Sequence, residues 1–261
     1  MPSALPPALD LAARLRSGET IVTAWSWLTD PRVPSLLGRA GYPAVTFDMQ
    51  HGLHDLASVF AGIPAAVAGG AAPIVRLAVD DFAGASRVID AGAVAVIAPM
   101  IEDAASARRL VAHVKYPPVG QRSWGPFTAM AAAGVSDPHA WLAGANDRTL
   151  AFAMIETAAA YAALPEILAV EGLDGVFVGP SDLSIALSKG ARIAASDAET
   201  LEVVRSIGAA AVAAGRIAGV YCQSAEEVAS MQAAGFRLMA YGHDSSLLAG
   251  AATALLAPLK L

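Results

Sequence analysis

Eight short apolar runs, separated by stretches with helical periodicity, constrain the fold of this chain more than any other feature. They are Thr20–Trp25, Ala44–Asp48, Pro73–Leu77, Val94–Pro99, Leu150–Glu156, Gly175–Gly179, Ile217–Cys222 and Arg237–Tyr241. Rich in Val, Ile, Phe and Ala, they show little alternation of apolar with polar residues, as parallel strands covered on both faces do. Between them, Asp55–Ala68, Ala104–Val114, Ala158–Val170, Glu199–Ala214 and Ala225–Ala234 repeat apolar residues at threes and fours, the period of a helix with one buried face. Glycine follows several such stretches, as at Ala91-Gly92 and Ala214-Gly215, where a helix would turn into the next strand. Eight alternating units predict a (β/α)₈ TIM barrel, since open doubly wound sheets use about five to seven strands. The 261 residues suit one such barrel, and no linker or low-complexity tract divides them, so residues 1–261 read as a single domain.

Composition narrows the function classes. With 56% hydrophobic and 15% charged residues the chain can bury a large core. A net charge of −6 argues against a nucleic-acid partner, which would need clustered Lys and Arg. The alanine-rich runs are interrupted by Asp, Arg, Gly or Pro before they could span a bilayer, so no membrane partner is expected. The opening MPSALPPALDLAARLRSGE lacks a basic segment followed by an apolar core and does not read as a secretory signal. Cys222 stands alone in the apolar run IAGVYC, a core position, and one cysteine forms no intrachain disulfide. A reducing, cytoplasmic setting is the expectation.

Active sites of such barrels form at the C-terminal ends of strands. There the chain offers Trp25, then Asp48, Gln50 and His51 in FDMQH, Arg76 in PIVRL, Glu156 after FAMI, and Asp182 in GPSD. Glu156 and Asp182 close consecutive strands and would project into a partly desolvated mouth. Two carboxylates there suit a hard cation such as Mg²⁺ or Mn²⁺, completed by waters and substrate oxygens; the alternative is a pair of helix N-caps. His51 suits a general base or a structural loop histidine. Arg76 could hold a substrate carboxylate and stabilise an enolate, or form a salt bridge inside the barrel. His54 and His113 read as helix-surface residues, and His139 and His243 as solvated or capping. Lys115, Lys189 and Lys260 stand on no strand, which argues against a Schiff base. The chain also lacks a GxGxxG turn after the first strand, a Walker loop and a GxSxG elbow. One long connection, KYPPVGQRSWGPFTAMAAAGVSDPHAWLAGANDR, carries Arg122 and Trp124 and reads as functional by its length.

Four stretches together resemble the HpcH/HpaI aldolase family, the metal-dependent class II pyruvate aldolases: FDMQHG, PIVRL, APMIEDAASARRLVAHVKYPPVGQRSWG, and MIET with EGLDGVFVGPSDLS. The likeness runs from about Thr20 to Asp244. It implies cleavage of 4-hydroxy-2-oxo acids into an aldehyde and pyruvate, or an analogue such as hydroxypyruvate. It implies Glu156 and Asp182 as ligands of Mg²⁺, Mn²⁺ or Co²⁺, Arg76 on pyruvate and its enolate, and His51 as acid/base through a metal-bound water. Backbone N–H groups of Ser181 and Asp182 would meet the pyruvate carboxylate. Trp25, Trp124 and the long connection would surround the aldehyde. The family pairs its histidine with an aspartate matching Asp90 in VIDAGA. As the end of a helix, Asp90 should face the opposite rim unless the helix breaks early or a neighbouring subunit supplies it; Asp48 is its local rival. Relatives exchange a C-terminal helix, here Ser245–Ala257, and assemble as hexamers. Two departures stand out: Gln50 where many relatives have Glu, and Met154 where they have Gln. A thioether loses a hydrogen bond to substrate or a metal-bound water, so Met154 reads either as a more apolar, more tolerant donor site or as core packing alone. The alternatives are a related lyase acting on oxaloacetate or an acyl-CoA, and a non-catalytic binding barrel.

Overall fold

In the computed structural model, which describes residues 5–259, eight parallel strands pair in chain order and close on themselves. They are β1 (Ile21–Ser26), β2 (Ala44–Asp48), β3 (Ala72–Arg76), β4 (Ala95–Ala98), β5 (Leu150–Ile155), β6 (Gly175–Val178), β7 (Ile217–Cys222) and β8 (Leu238–His243). β8 returns beside β1, aligning Ile21 with Leu238 and Thr23 with Ala240. The helices are α1 (Leu11–Arg16), α2 (Arg32–Arg39), α3 (Leu56–Ala68), α4 (Phe82–Asp90), α5 (Ala104–Val114), α6 (Phe127–Ala132), α7 (Pro138–Arg148), α8 (Ala158–Ala162), α9 (Leu164–Leu168), α10 (Pro180–Leu187), α11 (Ala198–Ala213), α12 (Ala225–Ala233) and α13 (Asp244–Leu256). Lys260 and residues 1–4 of the N-terminal segment lie outside the described residues. Among those described, no helix is long and apolar enough to cross a membrane.

The expected strands and helices form with small shifts at their ends, and three differences have local causes. The stretch read as one helix over Ala158–Val170 is two, α8 and α9, because Pro165 in the first turn of α9 cannot continue the preceding helix. GPSD turns directly into α10, with Pro180 at its first turn, where the missing N–H costs nothing. The long connection is not bare loop, since it folds α6 and α7.

Strand side chains alternate faces, and the two faces bury different things. Ile21, Trp25, Ile74, Ile97, Phe152, Met154 and Phe177 fill the barrel interior, stopped at its N-terminal end by Leu9, Leu11 and Leu15. Phe47, Val75, Val96, Ile155, Val176 and Val220 face outward onto the helices, packing with Ile63, Val88, Leu110, Ile167 and Ile207. Each such fully buried side chain contributes about 1.5–3 kcal/mol relative to leaving it exposed. Asp55 and Asp103 form capping boxes with Ser58 and Ser106 and start α3 and α5. Gly92 follows α4 at φ +117°, a backbone angle that side-chain-bearing residues avoid.

One lysine departs from its sequence appearance. Lys115, just past α5, is 2% exposed, with Nζ 2.7 Å from Asp174 and donating to the carbonyls of Asn146 and Thr149. Burial pulls its pKa below the usual lysine value, against the opposing pull of Asp174. It is a structural ion pair near the N-terminal ends of the strands, away from the interior position a Schiff-base lysine requires.

Candidate active site

At the C-terminal rim, Asp48 ends β2 with its carboxylate fully buried, facing Arg76 in register on β3. Arg76 donates from Nε to Oδ1 at 2.9 Å and from Nη2 to Oδ2 at 2.6 Å. The Trp25 indole N–H adds a bond to Oδ2 at 3.1 Å, and the Arg76 guanidinium lies 5.1 Å from the Trp25 ring centre. Oδ1 also accepts the backbone N–H groups of Gln50 and His51 at 3.0 and 3.2 Å, which folds FDMQH back over the strand end. Burial alone would raise the Asp48 pKa; the bond and charge of Arg76, helped by His51 N–H and Trp25, hold it below the usual carboxylate range. The arginine is thus locked in place. Among the described residues its Nη1 has no hydrogen-bond partner, and Arg76 lines the cavity above.

Across the barrel, Glu156 follows β5 with only 1% of its surface exposed. Oε1 accepts the N–H of Met100 at 2.8 Å. Met100 holds a left-handed φ of +55°, unusual for a non-glycine residue, and this turn after β4 presents its N–H to the carboxylate. Oε2 is buried without a partner. A Cβ at Gly179 would lie 2.7 Å from that oxygen and 3.2 Å from Met154 Cε, so any larger residue there would push the carboxylate aside. Burial raises the Glu156 pKa, the Met100 N–H opposes this, and the charge of Asp182 pushes it up again. A carboxylate with an orphaned oxygen beside a second carboxylate fits a hard divalent cation. Neither residue is an N-cap: Thr157 caps α8 with its own hydroxyl, and Gly179 stands at the N-cap of α10. Asp182 lies in the first turn of α10 beside Ser181, where backbone N–H groups lack helical partners and favour an anion.

Between Asp48 and Glu156 opens one cavity of about 290 Å³, lined by Trp25, His51, Arg76, Met154, Ser181 and Asp182 among others. Met154 and Glu156, two residues apart, share a face as strand alternation predicts: Met154 lines the cavity, and Glu156 Oε2 lies behind Gly179 in its wall. Trp27, Phe177, Tyr221, Gln223 and His243 also line the cavity and were not singled out as binding residues from sequence. Applying the strand-end rule to the seventh and eighth strands would have found Gln223 and His243. Nothing in the sequence marks Met100.

As its helix-end position implied, Asp90 ends α4 away from this rim, its carboxylate held by Arg122 at 2.5 Å, so within one chain it does not reach His51. Other expectations are corrected. Asp48 is no substitute, because it bonds the His51 backbone N–H and not the ring. Trp124 does not line the cavity; it packs on Tyr116, ring centres 5.6 Å apart. The reason is topological: the long connection runs from the end of a helix to the start of a strand, which puts it on the N-terminal face of the barrel. His54 is no surface residue but a buried one, between the hydroxyls of Ser26 and Ser58 at 3.1 Å each. Cys222 is core as expected, its thiol pushed up to about 12 by burial.

A family model described as HpcH/HpaI aldolase/citrate lyase matches residues 22–251. The hydroxypyruvate/pyruvate aldolase of Rhizorhabdus wittichii is 35% identical over 240 residues, 92% of this chain and 94% of that protein. The 4-hydroxy-2-oxo-heptane-1,7-dioate aldolase of Shigella sonnei is 32% identical over 248 residues, covering 94% and 92%. Among solved structures, the citrate synthase SbnG superposes with a TM-score of 0.85 at 27% identity, over 97% of this chain and 98% of that one.

Proposed function

The chain belongs to the HpcH/HpaI aldolase/citrate lyase family, and we propose that its rim cavity reversibly cleaves 4-hydroxy-2-oxo acids into an aldehyde and pyruvate or hydroxypyruvate. The observation that carries this reading is the orphaned, buried Oε2 of Glu156, set directly behind Gly179 and Met154 in the wall of a cavity that Arg76, His51 and Asp182 also line. Glu156 and Asp182 would hold a divalent cation, which supplies Lewis-acid polarisation of the substrate's 2-oxo group.

The chain's own groups do the rest. First-turn N–H groups of Ser181 and Asp182 take the substrate carboxylate. His51 accepts the proton of the C4 hydroxyl through a bridging water. The O–H electron pair forms the aldehyde C=O as the C3–C4 bond breaks, and its electrons pass into an enolate over C3, C2 and the 2-oxygen. Arg76, already oriented by Asp48, places positive charge beside that oxygen without reorganising. The proton taken up by His51 is returned through water to C3, which completes pyruvate and resets the base. Met154, 2% exposed on the floor, provides an adaptable apolar contact for a donor with or without a C3 hydroxyl. Asp90 would orient His51 from a neighbouring subunit, in an assembly joined through exchanged α13 helices.

Stripping divalent metal should abolish pyruvate release from a 4-hydroxy-2-oxo acid, and Mn²⁺, Mg²⁺ or Co²⁺ should restore it. Glu156→Ala and Asp182→Ala should each lose bound metal and turnover together. Full activity of metal-free protein, or a borohydride-trapped adduct with pyruvate, would overturn the reading.

A further inference from the structure

One wall of the cavity carries a side chain that this reaction leaves unused. His243 closes β8 and caps α13, its Nδ1 facing the Ser246 N–H at 3.4 Å and the Ser245 hydroxyl at 2.9 Å. An amide N–H can only donate, so Nδ1 is the acceptor and the ring proton resides on Nε2. Among the described residues no protein group bonds Nε2. The ring stacks on Trp27 with centres 5.0 Å apart and planes 24° apart, and both residues line the cavity.

The stack is held from behind. Asp244, 4% exposed, accepts the Trp27 N–H at 2.9 and 3.1 Å, the Leu28 N–H at 3.0 Å and the Ser26 hydroxyl at 3.0 Å. The end of β1 and the start of α13 are thereby one hydrogen-bonded unit, and the imidazole plane is set before any substrate arrives. In the ring of strands, the proposed keto-acid contacts come from β3, β5 and the turn after β6. The side formed by β8 and β1 is left for the second substrate.

We infer that His243 selects the acceptor aldehyde: its Nε2–H donates to a hydroxyl oxygen on the carbon next to the aldehyde carbonyl, so that hydroxy-aldehydes are favoured. This rests on the aldolase reading above. An apolar isostere would set a methyl group against the donor and leave it unpaired in a partly desolvated cavity, which is where such discrimination arises. Trp27 keeps the ring from turning its donor away.

Glycolaldehyde and propanal, which differ by hydroxyl against methyl, test this in pyruvate addition by the metal-loaded protein. Asparagine at 243 retains an oxygen to cap α13 but is too short to present a donor to the cavity. In His243→Asn the ratio of kcat/KM for glycolaldehyde to that for propanal should fall about tenfold from wild type; the aldehydes' intrinsic reactivities cancel in this comparison. His243→Gln, with an N–H donor on a longer stem, should keep more of the ratio, and Trp27→Ala should lower it. An unchanged ratio in His243→Asn and Trp27→Ala overturns the subsite and leaves the aldolase reading standing. Absence of addition product with either aldehyde in the metal-loaded wild type overturns both.

Discussion

Two buried carboxylates on the same rim are tuned in opposite directions, and pH should separate them. Asp48 has its pKa held down by Arg76 despite burial, so its contribution to stability is present above the ordinary carboxylate range and lost as pH falls through the depressed value. Glu156 has its pKa raised by burial, so the folded state binds the proton more tightly than the unfolded chain does. Stability from that source is full below the unfolded value and lost as pH rises through the folded one. Metal-free wild type should therefore melt at progressively lower temperature as pH climbs past the carboxylate range, while Glu156→Gln should lack this decline. Added Mn²⁺ should reverse the decline in wild type by binding the folded state alone, and should do nothing for the variant. Thermal melts across pH, with and without metal, check this; parallel profiles for the two proteins would show that Glu156 is not the source. The same scale explains why Arg76 is tolerable indoors. Removing its partner in Asp48→Ala would leave a buried uncompensated charge, a loss of about 3–5 kcal/mol for pairs of this kind.

At the scale of elements, the β6–α10 junction decides whether the site can exist. Gly179 has φ −98°, an angle any residue adopts, so the backbone does not demand glycine there. The space in front of the carboxylate is what glycine preserves, because an added Cβ would approach Glu156 Oε2 to 2.7 Å and displace it. Gly179→Ala should cost only about 1 kcal/mol of stability as an altered helix cap. It should nevertheless weaken Mn²⁺ binding by at least about tenfold, since the carboxylate must shift and 1.4 kcal/mol of lost coordination suffices for that. Calorimetric titration with Mn²⁺ and a urea melt of the same variant separate the two effects. Undiminished affinity would mean that Oε2 does not face the cation. The opposite junction, β8–α13, shows the same economy: one aspartate, Asp244, joins two elements that are neighbours only because the barrel closes.

The whole molecule has a second cluster on its other face that one chain leaves without a task. Asp90 meets Arg122, whose guanidinium also lies 4.7 Å from the Tyr116 ring centre, with Trp124 packed alongside. On α13, Leu248, Leu255 and Leu256 are 65%, 77% and 53% exposed, an apolar surface of the kind that marks an interface. If subunits joined through this helix bring one chain's Asp90 to another's His51, Asp90→Asn should lower kcat about a hundredfold, the usual scale for a group that supports acid–base catalysis. Refolding a mixture of His51→Ala and Asp90→Asn chains should then regain activity that neither variant has alone, because some interfaces pair two intact residues. Leu255→Glu should reduce both the mass in solution and the activity. Mixed oligomers no more active than either parent would remove Asp90 from the site.

Periodicity and punctuation by themselves determined the barrel, the identity of its strands and the residues at their C-terminal ends. Both are local properties: a helix with one buried face repeats at 3.6, a strand covered on both faces reads as a short apolar run, and a strand end is where that run stops. The same logic made the shared face of Met154 and Glu156 legible. It also held the information that the long connection runs from helix to strand, although length and composition drew attention to Trp124 instead. What only the tertiary structure decided is which charge meets which. Arg76 finds Asp48 28 residues away, Arg122 finds Asp90 32 residues away, and Lys115 finds Asp174 across the N-terminal ends of the strands. It likewise decided that one Glu156 oxygen is satisfied by a strained turn and the other is left open, and that His243 lines the cavity. Those outcomes depend on the register between strands and on the depth of burial that closure imposes, and neither is a property of any one segment of the chain.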